Sequence, residues 1–401
     1  MNPYLNALQP YPFAKLRNLF DGVTPNPELS HINLGIGEPK HEPPAVAINA
    51  LQNQLDTISQ YPSVLGQASL RETISAWAIQ RFRLLSLRAT DQILPVNGTR
   101  EALFSIAQVI CGGLANATVF APNPFYQIYE GAALMAGADL KLLPCLAEFG
   151  HQPDYFSITD SEWEQCDLLY ICNPGNPAGG VLSRDTLAHL INKARLHDFV
   201  LVADECYSEI YSEEDAPPFG LLQICAELGD HEYTSCLIFQ SLSKRSNLPG
   251  MRSGFVAGDA KLIQPYLQYR TYHGCTMPIY HQEASSAAWA DEAHVIENRA
   301  LYRAKFNAVL PILSPFFAIT KPLGGFYLWL PTPGSDEAFA RTIFEQEHIT
   351  VLPGSYLGRS IEGHNPGSGY VRAALVAKLD ECVAAAHRIA RFMQSQGGDS
   401  A

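Results

Sequence analysis

A chain of 401 residues, 47% of them hydrophobic, is long enough to bury a large core and points to two domains. Lys and Arg total 27 against 40 Asp and Glu, a formal net charge of −13, which argues against nucleic acid or acidic lipid as a partner. The nine cysteines contain no C-x-x-C pair, so they read as reduced, mostly buried thiols of a cytoplasmic protein and not as a disulfide frame or zinc site.

Residues 1–45 are rich in proline and turn formers and are expected to form an arm plus a loop that joins the smaller domain. The opening MNPYLNALQPYPF has no basic stretch before an apolar run, which argues against a signal peptide, and no run approaches the length of a membrane span. A helix is expected from near Ser69, where SLRE reads as a capping box with Ser69 as cap and Glu72 reaching back. Leu103, Ile106, Ala107 and Ile110 recur at helical spacing after VNGTRE, as do Leu187, Leu190, Ile191 and Ala194 after Ser183. Between such segments lie the short apolar runs ATVFA, DLKLLP, CDLLYIC, FVLVAD, CLIFQ and GFVAG. Strands alternating with helices at this spacing imply an α/β fold with a doubly wound, mostly parallel sheet over 46–282, whose ligands collect at the carboxyl ends of the strands. From 283 to 401 a long helical stretch followed by GGFYLWL, ITVLPG and GYVRAALV suggests a smaller α/β domain.

Polar residues collect where the strands of the first domain end. VNGTRE puts Gly98, Thr99 and Arg100 at a helix start, where free N–H groups and a hydroxyl suit a phosphate, although a threonine there also serves as a plain N-cap. CNPGNPAGG forces an irregular turn that can aim Asn176 back over the sheet, or is simply a turn. Asp204 directly follows an apolar run, which is costly for a carboxylate unless it is paired or caps the next turn, and Tyr207 lies just beyond. FQSLSKRSNLPGMRSGF then gathers Ser241, Ser243, Lys244 and Arg252. One ligand uses all of these parts. Its phosphate needs Thr99, Ser241 and Arg252, its ring nitrogen a carboxylate at Asp204, its phenolic oxygen donors from Asn176 and Tyr207, and its aldehyde the amine of Lys244. That ligand is pyridoxal 5′-phosphate.

The ordered series N-G-T-R-E, N-P-x-N-P-x-G, D-x-x-Y and S-x-S-K-x₇-R, with a late YVRAAL, resembles the fold-type-I pyridoxal-phosphate aminotransferases over nearly the whole chain. The resemblance implies that Lys244 forms the Schiff base and Asp204 pairs with the pyridinium, while Asn176 and Tyr207 hold the phenolic oxygen. It further implies that Tyr126 stacks on the ring and that Arg372 takes the substrate α-carboxylate beside a backbone contact from Gly37. Tyr61 matches a tyrosine that reaches the neighbouring subunit's phosphate, which implies a homodimer.

The stretches NPYLNALQPYPFAKLRNLF and INLGIGEPKHEPP resemble succinyldiaminopimelate aminotransferases, which implies N-succinyl-LL-2,6-diaminopimelate as amino donor and 2-oxoglutarate as acceptor. Other amino donors (acetylornithine, aspartate, an aromatic amino acid) and a pyridoxal-phosphate lyase of carbon–sulfur bonds share the same lysine and fold. Where aspartate-type enzymes place a distal-carboxylate arginine, this chain reads HGCTMPIYHQ. Lys40 is therefore expected to meet the distal carboxylate, with Arg17 and Arg270 as further candidate cations.

Overall fold

The computed structural model describes residues 2–397. The expected apolar runs form one sheet of eight strands, in the order Ile93–Val96, Gly254–Gly258, Cys236–Ser241, Val200–Asp204, Leu168–Cys172, Thr118–Asn123, Asp139–Leu146 and Gln152–Pro153. Its central strands, from Cys236–Ser241 to Asp139–Leu146, run parallel, and Gly254–Gly258 is antiparallel to both of its neighbours. Alternate residues of each strand serve opposite faces. Leu169, Ile171, Leu201 and Ala203 pack with Leu187, Leu190, Ile191 and Ala194 of the helix Arg184–His197. Leu168, Tyr170 and Val202 face the helices Thr99–Ile110 and Ile128–Ala136 through Leu103, Ile106, Ala132 and Ala133. Both faces are covered, which explains why the strands read as unbroken apolar runs; each fully buried aliphatic side chain contributes roughly 1.5–3 kcal/mol.

Local signals set several boundaries. Ser183 caps the helix Arg184–His197, its Oγ accepting from the Thr186 N–H at 3.0 Å. The capping box expected at Ser69 is absent: the helix is Ala68–Phe82, Gln67 stands at its N-cap position, and no side chain caps it. Instead the Gln67 N–H donates to Gln282 Oε1 at 2.7 Å, so a helix far along the chain supplies what a local cap would have. The strand Ile93–Val96 was not among the expected runs because it contains Pro95; it is an edge strand, the place where a missing N–H is tolerated.

The second domain has its own core. Tyr327–Pro331, Tyr370–Ala374 and Leu352–Pro353 form an antiparallel sheet, and Ile32–Asn33 pairs in parallel with Ile349–Thr350. Phe306, Val309, Leu313, Ile343, Val371, Ala385 and Ile389 pack behind them together with Ile32 and Leu34, which draws the N-terminal segment into this domain. That segment is not only arm and loop, for Pro12–Leu19 is a helix whose Leu16 packs with Trp329, Leu352 and Tyr356. The division expected at 282/283 falls inside the helix Ile279–Ala290, whose Ala284, Ala288 and Trp289 belong to the large core. The chain passes to the second domain along the next helix, Ala293–Leu313. Among the described residues, no helix is long and apolar enough to cross a membrane.

Candidate active site

The parallel strands stop in register at one edge of the sheet, Cys172 opposite Asp204 and Asp204 opposite Phe239, and their polar successors surround a cleft of about 510 Å³. Gly37, Thr99, Arg100, Tyr126, Asn176, Asp204, Tyr207, Ser241, Ser243, Lys244, Arg252 and Arg372 all line it. Residues spread over most of the chain thus meet at the carboxyl ends, where unsatisfied chain ends and loops converge.

Lys244 sits on the one-turn helix Leu242–Arg245 that follows the strand Cys236–Ser241. Its Nζ donates to the Gly37 carbonyl and lies 5.3 Å from the Phe326 ring centroid. Burial strips water from the ammonium and lowers its pKa to about 8, with Arg372 pushing the same way. Asp204, 4% exposed, accepts from Tyr129 Oη at 2.8 Å and from the Cys206 N–H at 3.3 Å. Burial pushes its carboxyl up from the ordinary carboxylate range, so the ionised form calls for a cationic partner.

One corner is built for an anion. Gly98 takes the N-cap position of the helix Thr99–Ile110 at φ +83°, and a Cβ there would fall 2.5 Å from Arg252 Nη2. Glycine is what lets the guanidinium approach the helix start. Thr99 is therefore not the cap; its hydroxyl sits 2.9 Å from Cys206 Sγ. Arg252 itself has a left-handed backbone, φ +52°, and its Nη1 donates to the Pro249 carbonyl at 2.9 Å. Ser241 Oγ accepts from the Ser243 N–H at 3.1 Å.

Arg372, 4% exposed, projects from the strand Tyr370–Ala374. Its Nη1 donates to Asn176 Oδ1 at 3.0 Å and its Nη2 to the Gly35 carbonyl at 2.9 Å, while its buried Nε has no partner. A buried donor left open beside a cleft is a place for a ligand acceptor. Tyr207 and Tyr327 share a hydrogen bond of 2.8 Å between their hydroxyls. Tyr327 also explains Gly37: a Cβ at that glycine would lie 2.1 Å from Tyr327 Oη. Gly37→Ala is expected to displace that ring and to cost about 1–3 kcal/mol, measured as a lowered midpoint of chemical denaturation; an unchanged midpoint would refute the close approach.

Several expectations are not met. Lys40 does not line this cleft; it lies exposed on a separate depression with His41, Glu42, His294 and Lys378. Arg270 is buried and spent, its Nη1 held by both oxygens of Glu101 at 2.9 and 2.7 Å. Arg17 is exposed on the helix Pro12–Leu19 and also lies outside the cleft wall. The expectation for Tyr61 concerns the neighbouring subunit's site and is not among these: Tyr61 stands fully exposed, away from the cleft of its own chain. The sequence reading also missed wall residues: Tyr11, Phe13, Glu38, Cys206 and Tyr327. Tyr327 carried no signal, since an aromatic within a strand reads as core. Glu38 was visible in the GEP turn beside Gly37 but went unassigned.

Known proteins share this fold. The family model for aminotransferase class I and II matches residues 30–389. An aminotransferase structure from Neisseria meningitidis is 45% identical, with a TM-score of 0.94, covering 98% of this chain and 100% of that one. The aminotransferase AspB from Helicobacter pylori is 36% identical, with a TM-score of 0.89 over 96% of this chain and 99% of its own. An LL-diaminopimelate aminotransferase from Maridesulfovibrio salexigens is 28% identical over 97% of this chain and 98% of its own length. The cleft with its amine, its buried carboxylate and its anion corner, and a family match over most of the chain, lead to one conclusion: the chain belongs to the class I and II aminotransferases, fold-type-I enzymes that depend on pyridoxal 5′-phosphate.

Proposed function

We propose that this aminotransferase takes N-succinyl-LL-2,6-diaminopimelate as amino donor and 2-oxoglutarate as acceptor, and works as a homodimer in which Tyr61 serves the neighbouring subunit's site. The residues at hand fit pyridoxal phosphate. Thr99, Ser241, Ser243 and Arg252, with the helix start at Gly98, would hold its phosphate; Asp204, a buried carboxylate wanting a cation, would hold its ring nitrogen. Asn176 and Tyr207 would hold its phenolic oxygen, and Tyr126 would stack on the ring. When bound, the cofactor supplies an electron sink that lets an amino group pass between an amino acid and a 2-oxo acid.

The chain's own residues do the rest. Lys244, with its ammonium made easy to deprotonate by burial, moves the proton at the substrate carbon. Arg372 holds the α-carboxylate through its planar fork and open Nε, which fixes the face turned to Lys244. Asn176, bonded to Arg372, links the carboxylate side of the cleft to the cofactor side.

One observation carries the choice of a substrate with a distant carboxylate. The Arg100 guanidinium meets only neutral partners, donating to Tyr126 Oη at 2.8 Å and Tyr11 Oη at 3.3 Å, and among the described residues no carboxylate pairs with it. Its backbone stays at the helix start while its side chain supplies a second cation on the cleft wall, the role first expected of Lys40. Both a succinyl carboxylate and the distal carboxylate of 2-oxoglutarate suit it. Arg100→Met is expected to raise KM for these two substrates roughly 10- to 100-fold, the worth of a charge-assisted hydrogen bond, with little change for a neutral amino donor. Equal KM changes for charged and neutral donors would remove Arg100 from that role.

Glu38 favours a second reading, LL-2,6-diaminopimelate itself, the substrate named for the Maridesulfovibrio relative. Its carboxylate on the cleft wall suits a free distal ammonium, which succinylation removes. Transamination of both donors with 2-oxoglutarate separates the two: a higher kcat/KM for the succinylated donor supports the first reading. A preference for the free diamine that Glu38→Gln abolishes supports the second.

A further inference from the structure

Behind the cleft, a line of side chains that runs from the buried Lys305 past the half-buried His41 reaches the backbone that carries Lys244. Lys305, 2% exposed on the helix Ala293–Leu313, has its Nζ 2.6 Å from His41 Nε2. His41 Nδ1 lies 2.7 Å from Asn298 Oδ1. Asn298 Nδ2 in turn donates to the carbonyls of both Lys244 and Arg245, each at 3.1 Å. The chemistry of the groups allows one direction only. An amine facing an imidazole nitrogen at this distance donates to it, so Nε2 accepts and Nδ1 carries the hydrogen. That hydrogen goes to Asn298 Oδ1, which leaves the asparagine's NH₂ for the two carbonyls. Asn247 Nδ2 supports the same amide orientation by donating to Asn298 Oδ1 at 3.0 Å.

The line also reaches the second domain. Lys305 Nζ donates to the carbonyl of Val376 at 3.3 Å, two residues beyond the strand that holds Arg372. His41 ends a loop whose other carbonyls hold the reactive groups: Gly35 accepts from Arg372 and Gly37 from the Lys244 amine. Lys244 is thus held at its backbone by Asn298 and at its tip by Gly37, through one loop that also touches Arg372.

We propose that Lys305, His41 and Asn298 form a positioning relay that holds the Lys244 backbone and couples it to the strand carrying Arg372. A carboxylate settling on Arg372 would then be felt at Lys244 through bonded groups. Burial lowers the His41 pKa, with the Asn298 bond opposing it and Lys305 adding to it, which favours the neutral ring whose Nε2 accepts in the relay. Tyr302 packs against His41 with ring centroids 4.6 Å apart and a 45° tilt and lies under Lys305, while Lys40, Glu381 and Cys382 face the same lysine; none of them interrupts the line.

The relay makes a test by conservative rescue possible. His41→Phe keeps a ring against Tyr302 and removes both hydrogen bonds; His41→Gln keeps an acceptor for Lys305 and a donor for Asn298. With holoenzyme and any amino donor it turns over, His41→Phe is expected to lower kcat roughly 10- to 100-fold, the scale of a slight misplacement of a reacting group, with KM little changed. It should also shift the pH at which the absorbance of the bound cofactor changes, a readout that needs no substrate and so does not depend on the donor proposed above. His41→Gln should restore both. Wild-type kcat and absorbance midpoint in His41→Phe would overturn the relay. So would an equal loss in both variants, or a fall in thermal midpoint alone.

Discussion

Lys244→Ala is expected to lower turnover by at least roughly 10²–10⁴-fold while the protein still binds pyridoxal phosphate. The size follows from the site. Lys244 is the lysine whose amine lines the cleft, and no other basic group there is placed at the Gly37 carbonyl to replace it. Arg100, Arg252 and Arg372 share the wall, but a guanidinium keeps its proton and cannot act as the base. The cofactor should stay bound through Thr99, Ser241 and Arg252, so its loss on gel filtration would contradict the assignment of those groups. The pKa of about 8 makes a second, independent prediction. Only the neutral amine reacts with an acylating reagent, so labelling of Lys244 in the cofactor-free protein should rise through about pH 8. Exposed lysines should still be climbing well above that pH. Steady-state turnover within tenfold of the parent, or labelling of Lys244 that follows the exposed lysines, would refute the assignment.

Asp204→Asn should also be severe, with turnover reduced roughly 10²–10³-fold, the range seen when one preorganised electrostatic group is removed. Asparagine keeps the shape: its one amide oxygen can still accept from the Cys206 N–H while its NH₂ donates to Tyr129 Oη, so the packing of the strand end Val200–Asp204 should survive. What it lacks is the negative charge. The site disfavours that charge unless a cation answers it, and a protonated ring nitrogen is the cation the cofactor offers. A thermal midpoint close to that of the parent together with the loss in turnover would locate the effect in charge. Near-normal turnover would show that the carboxylate has no part in holding the cofactor charged.

Much of the first domain and of the anion corner was legible because each reactive residue directly follows an apolar run or opens a helix. Asp204 ends FVLVAD, Ser241 directly follows CLIFQ, and Thr99 opens its helix after Val96, so local order already placed them at one edge of a parallel sheet. The expectations that failed share another trait, reliance on closeness in sequence. Lys40 follows Gly37 closely, yet the loop carries it onto a different depression. Ser69 and Glu72 have the spacing of a capping box, but Gln282 reaches the helix start first.

By itself the sequence determined the layered α/β architecture, the identity of the cofactor and the chemistry open to Lys244 and Asp204, because those follow from residue type and from periodicity along the chain; the expected role of Arg372 came from the resemblance to the aminotransferases. Only the tertiary structure decided which charges are answered and which are free. Arg270 meets Glu101 across 169 positions, and Arg100 meets two tyrosine hydroxyls in place of a carboxylate. Lys305 reaches His41 across 264. A charge's energy depends on what lies within a few ångströms and on how much water remains there, and folding sets both by bringing distant segments together.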